Sequence, residues 1–334
     1  MNTEPGKKRT IHEITNLRAL AILFVVVGHS IIIYSSTWGR YTSEIKVPAL
    51  NYLKAYINII QMPLYFSISG FLYNLSAKRP FAVFVKNKAK RLLVPWVFFT
   101  FAMMYPVRIL VHYHGYRGLS FPYIFFHLTL LGKDDGHVWF LSCLFMCFIV
   151  SYLYDQLIEK IHMDVVISKI VILFIAFAFM RKEYLLIDIG LFRNPGKYLF
   201  YFQIGCLISM FWDSRKKNIR VQIIGAMIYI VSSVLGMTLL KYKYTIPYVM
   251  IRILLVVSLY MIVPGKTCKA TEFLSNYSFG LYLFHSPLVY ITCAFMPNVH
   301  PAIFVGTNLI VFGLASILLT WAFKHSALRV LIGE

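Results

Sequence analysis

This chain is short of charge. Asp, Glu, Lys and Arg make up only 14% of its 334 residues, where a soluble domain carries about 25%. Acid is the scarcest kind. The thirteen carboxylates fall in loops or at the ends of apolar runs, and none stands in the middle of one. A proton-coupled transporter usually keeps Asp, Glu or His at depth, so only histidine is left as a base there. Cysteine is also sparse, five residues with no CxxC pair, which argues against a disulfide framework or a zinc site. No repeat, low-complexity tract or loop long enough for a soluble domain is visible. Nor is a secretory leader: the first apolar run, from near Ile14, is long enough to span and lacks a small-residue cleavage site.

What the chain has is apolar length. Hydrophobic residues are 59% of it, in runs of roughly 18 to 22, the length that crosses a bilayer. The expected fold is all-α, a polytopic membrane bundle of about ten transmembrane helices: 14–35, 52–74, 92–113, 138–155, 165–181, 197–212, 220–240, 245–263, 274–296 and 301–323. Segment 121–132 is apolar but short and reads as re-entrant or interfacial. The expected organisation is a basic N-terminal tail (1–13), one membrane domain (14–323) and a C-terminal tail (324–334).

The formal net charge is +20. Nucleic-acid binding is set aside, because no folded soluble basic domain is available to carry it. The cations cluster between spans, where the positive-inside rule and anionic lipid headgroups favour them. With the N-terminus inside, the inner segments carry about twice the Lys and Arg of the outer ones, which predicts both termini in the cytoplasm.

Two polar residues break the first apolar run. Arg18 and His29 have ten residues between them, about three helical turns, so they share a face about 16 Å apart along the axis. His285 lies at a comparable distance into a span of the same direction. An intramembrane cation or imidazole marks a candidate site, and imidazole is the usual general base. The plainer readings stay open: a neutral buried histidine bonded to a carbonyl, and an arginine snorkelling to phosphates. The run KRPFAVFVKNKAKR places six cations in fourteen residues. It is either a topology signal or a phosphate-binding patch, with Lys88 and Arg91 neighbours on a helix face and Pro95 a kink or helix start. In QMPLYFSISGFLY, Pro63, Ser67, Ser69 and Gly70 suit close helix packing or re-paired backbone groups. In HVWFLSCLF, Trp139 reads as an interfacial anchor, with His137 at an outer entrance.

Taken in order, five of these stretches resemble the membrane-bound acyltransferase 3 family, across nearly the whole chain. They are NLRALAILFVVVGHS with its Arg, ten residues, then His; QMPLYFSISGFLY; KNKAKRLLVPW; HVWFLSCLF; and NYSFGLYLFHSPL. The GHS ending is nearest to the sugar O-acetylase branch. Two positions depart from the family pattern. The Asp often found three residues before the Arg is Thr15 here, followed by Asn16. The first basic residue of the RxxR pair is Lys88, so bidentate phosphate recognition falls to Arg91.

The resemblance implies a multi-pass enzyme of a bacterial cytoplasmic (inner) membrane. It implies O-acylation of a surface polysaccharide, such as an O-antigen of lipopolysaccharide, or of its lipid-linked precursor, with acetyl-CoA as donor and no metal. Arg18, Lys88 and Arg91 would hold the donor phosphates. His29 would act as base or acyl relay, with His285 orienting the acceptor or stabilising charge. The competing class is a transporter or flippase of a glycan precursor.

Overall fold

A computed structural model describes residues 11–181, 190–212, 218–240 and 245–334. The basic tail before residue 11 and the loop cations Lys182, Arg215, Lys216, Lys217, Lys241 and Lys243, used in the orientation argument, lie outside the described residues. Those described form helices and turns, with no strand among them. We number the helices α1 (His12–Ser30), α2 (Pro48–Asn74), α3 (Phe81–Leu110), α4 (Phe121–Leu130), α5 (Trp139–Lys160), α6 (Val165–Arg181), α7 (Gly190–Phe211), α8 (Ile219–Thr238), α9 (Ile246–Ile262), α10 (Lys269–Phe295) and α11 (Pro301–Lys324). Every expected span coincides with one of them. Seven (α1, α2, α3, α5 with the turn before it, α8, α10 and α11) are long and apolar enough to cross a membrane, and α4, Val165–Phe179 of α6 and α9 are shorter apolar helices.

Helix ends differ from the sequence reading, and three differences bear on the site. Helix α1 stops at Ser30 rather than running to residue 35, so His29 sits in its last turn and not mid-span. Helix α3 begins at Phe81 after Pro80 and runs straight through Pro95, so Lys86, Lys88, Lys90 and Arg91 are helical rather than on a loop. Helix α5 continues to Lys160, which carries Asp155 inside the helix. Asp155 pairs with Lys169 of α6 at 2.6 Å and accepts from Tyr73 Oη at 2.8 Å. Such a pair is sustainable at depth because each charge has its partner; removing one costs about 3–5 kcal/mol.

Lipid is as apolar as leucine, so packing and internal hydrogen bonds hold such a bundle, and small residues admit the closest approaches. Helices α2 and α7 cross on paired glycines. A Cβ on Gly70 would stand 1.8 Å from the Phe202 carbonyl oxygen, and one on Gly205 1.8 Å from that of Ser67. Around this crossing the interior is aromatic, with Phe66, Phe71, Phe99, Phe202 and Phe284 fully buried. Proline leaves the carbonyl four residues earlier without its helical N–H. In α2, Pro63 so frees Ile59, and Arg252 Nε of α9 donates to that carbonyl at 3.0 Å.

Helices α1 and α10 run side by side in the same direction. Their starts are tied by Asn16 Nδ2, which donates to the Pro264 and Lys266 carbonyls at 2.9 Å each. At the far end Asn308 Nδ2 donates to the Ser30 carbonyl at 3.4 Å, and Thr292 Oγ1 donates to Asn308 Oδ1 at 2.6 Å. Thr15, which stands where the family often has Asp, turns its hydroxyl to the Ile11 carbonyl at 3.5 Å, and its neighbour Asn16 makes the tie between helices.

Candidate active site

Parallel packing brings His29 of α1 and His285 of α10 together. His29 Nδ1 lies 2.8 Å from His285 Nε2, with ring centroids 4.9 Å apart and planes inclined by 17°. His285 is buried, and its Nδ1 faces the Leu281 carbonyl within hydrogen-bond reach. A carbonyl can only accept, so His285 Nδ1 carries the proton and its Nε2 offers a lone pair. His29 Nδ1–H therefore donates to it, which leaves His29 Nε2 unprotonated. The hydrogen-bonded line fixes the tautomer of both rings.

His29 borders a cavity of about 460 Å³. Trp38, Trp139, Tyr198 and Tyr290 supply aromatic faces, and Ser286, Asp134 and Asp135 supply polar ones. Trp139 is thus a cavity wall, against Tyr198 at 5.1 Å, and not a surface anchor. The two aspartates correct the elimination made from sequence: the turn before α5 carries carboxylates into the same cavity as the histidine. Asp134 is bound on several sides. Arg108 Nη2 and Arg40 Nη1 approach its carboxylate at 3.2 and 3.3 Å, and Tyr113 Oη donates to it at 2.7 Å. Burial, reinforced by that carboxylate, raises the Tyr113 phenol above its ordinary value, so Tyr113 remains a donor. Arg108, only 1% exposed, also reaches the hydroxyls of Tyr116 and Tyr290.

Behind the histidines stands Lys54, 4% exposed. A Cβ on Gly28 would be 3.2 Å from both Lys54 Nζ and Gln61 Oε1, so the glycine before His29 makes room for them. Sequence reasoning missed Lys54, Arg108, Lys169 and Arg252. Arg18 apart, it sorted cations by loop and looked for depth only among acids and histidines. The rule that picked out Arg18 applies equally to these four.

The other expected site residues line a second, larger cavity of about 1570 Å³, bordered by Arg18, Lys88 and Arg91 together with Arg79. Arg18 is half-buried and within electrostatic reach of Arg91. Among the described residues no carboxylate forms an ion pair with either. Lys88 Nζ lies 3.5 Å from the ring centre of Phe148, a cation–π contact. One carboxylate, Glu13, borders the same cavity, and four cations against it leave an excess of positive charge that suits an anionic ligand.

The two cavities share a wall. Phe140 and Tyr282 border both, their rings edge to face at 5.4 Å. The structure therefore gathers Arg18, Lys88 and Arg91 on one side of this wall and His29 on the other, backed by His285. Since α1 is unbroken from His12 to Ser30, Arg18 and His29 stand about 16 Å apart along it.

A family model described as an acyltransferase domain, the acyltransferase 3 family, matches residues 11–325. No curated protein and no solved structure matches the chain. With nearly the whole helical bundle inside the match, the chain belongs to this family and is a multi-pass membrane acyltransferase.

Proposed function

We propose that this protein moves an acyl group, acetyl in the first instance, from cytoplasmic acyl-CoA to a sugar hydroxyl of a surface polysaccharide or its lipid-linked precursor. One observation carries the reading: His29 Nε2, left unprotonated by the hydrogen bond to His285, borders a cavity that meets a cation-lined one at a thin aromatic wall. Arg18, Lys88 and Arg91 hold the phosphates of the donor at the cytoplasmic face, and the pantetheine arm reaches toward Phe140 and Tyr282. The acceptor enters from the opposite side, among Trp38, Trp139 and Tyr290.

The step balances without a metal. The acceptor oxygen attacks the thioester carbonyl as its proton passes to His29 Nε2. The carbon–sulfur bond breaks, the proton moves on to the departing sulfur, and His29 returns neutral. His285 holds the His29 ring in the required tautomer and stabilises the imidazolium that forms transiently. Both termini lie in the cytoplasm in this arrangement, and the bundle sits in the cytoplasmic membrane of a bacterium.

The test uses purified full-length protein, labelled acetyl-CoA and a panel of glycans. His29→Ala is expected to lose transfer by about a hundredfold or more while keeping its elution profile and thermal unfolding. Normal product from that variant would sink the assignment. Rapid-quench trapping of an acetyl-His29 species would replace the general-base step with a covalent relay.

A further inference from the structure

The residues that follow α11 are docked onto the bundle. Ser326 Oγ accepts from the Leu328 N–H at 3.1 Å at the start of a short 3₁₀ helix, Ala327–Ile332. Gly333 ends that helix in the left-handed region, at φ +75°, which glycine takes without strain. Ile332 is buried in the same apolar cluster as Phe99 and Phe284. Glu334 pairs with Lys324 at 2.7 Å, and Lys324 Nζ donates to the Asn276 carbonyl of α10 at 2.8 Å. The family match ends at residue 325 and so does not account for this docking.

What the segment touches is the cation-lined cavity's own wall. A Cβ on Gly333 would stand 2.7 Å from the Arg91 carbonyl oxygen, 3.0 Å from Phe279 Cε1 and 3.3 Å from Arg91 Cγ. Arg91 and Phe279 both border that cavity. The glycine backbone therefore lies flat against the backbone and stem of Arg91, and only a residue without a side chain fits there. The rest of the Arg91 side chain stays exposed. A long side chain that must be ordered as its ligand binds loses affinity, and one whose stem is already held loses less.

We propose that Ser326–Glu334 is a strap that positions Arg91 for the phosphates of the acyl donor, with Gly333 as its point of contact. The inference rests on the donor-site reading above. It places no residue of the segment on the donor itself.

The test is a double-mutant cycle on purified full-length protein, read as KM for acetyl-CoA and as kcat. Gly333→Ala drives a Cβ into the Arg91 carbonyl and strains the left-handed backbone. It is expected to raise KM about threefold to tenfold, the cost of ordering one long side chain on binding, with kcat unchanged. Arg91→Met should raise KM at least as much. Adding Gly333→Ala to it should then change KM no further, because the two act through one side chain. Ile332→Val loosens the same segment by one methyl and leaves the glycine alone, and it should raise KM by a smaller factor. Thermal unfolding in detergent shows which variants keep the fold; were Gly333→Ala to lose it, Ile332→Val decides.

A wild-type KM in the folded strap variants overturns the inference. So does a rise on Gly333→Ala that is equally large in the Arg91→Met background, or a fall in kcat alone, either being the pattern of a general disturbance. If Arg91→Met raises KM and the strap variants do not, the donor-site reading stands and only the strap is removed. An Arg91→Met enzyme with unchanged KM takes Arg91 out of the donor site, and this inference with it.

Discussion

Two imidazoles in one hydrogen-bonded line fix each other's protons. Leu281 sets His285, His285 sets His29, and the free lone pair comes to rest at the cavity. Arg18 works by charge rather than by a fixed partner. Placed on a cavity with Arg79, Lys88 and Arg91, it is proposed to contribute binding that the donor keeps throughout the reaction. Arg18→Met should therefore raise KM for acetyl-CoA about tenfold or more with kcat little changed, since such binding is equal in ground and transition states. The same KM should climb with ionic strength, because these charges are partly exposed and salt screens them. Steady-state kinetics at two salt concentrations checks both. A fall in kcat with unchanged KM would move Arg18 from the donor's phosphates to the chemistry.

At the scale of elements, a proline within a helix frees a carbonyl that finds its partner on another helix. Pro63 frees Ile59 for Arg252. Removing the partner alone should hurt more than removing both causes. Arg252→Met is expected to destabilise the protein by about 1–3 kcal/mol through the unpaired carbonyl. Pro63→Ala supplies an N–H four residues on, so the double variant should recover part of that loss. Unfolding in detergent measures it, and strictly additive losses would refute the pairing. These elements were legible in sequence only as lengths. A helix stands at every expected span, but Pro95, read as a kink or a helix start, lies inside α3, because the rest of the helix holds its turn around one missing N–H. The end of α1 was hidden for the opposite reason: residues 31–34 are as apolar as those before them, yet they turn away after Ser30.

At the scale of the whole molecule, what could be read along one helix was read, and what depended on several was not. The spacing of Arg18 and His29 follows from the rise of α1 alone. That His285 would lie at a like depth followed from span direction, whereas the 2.8 Å contact required α1 and α10 to pack in register. Asp134 and Asp135 looked like loop residues, and they are; only tertiary structure folds that loop into the cavity. Lys54 and Arg108 were passed over because their runs remain apolar around them.

The shared wall of Phe140 and Tyr282 has a consequence for the cell rather than for the reaction. In the arrangement proposed above, two hollows that meet at a pair of rings would let an acyl group change sides without a continuous wire of water. The bundle should then be electrically tight. Proteoliposomes carrying the wild-type protein should hold an imposed pH gradient, whereas those carrying Phe140→Gly should dissipate it measurably faster. An equally leaky wild type would mean that the membrane potential is sealed elsewhere. If the rings are the seal, an organism can decorate its outer surface from an inner pool of thioester at no loss of its proton gradient.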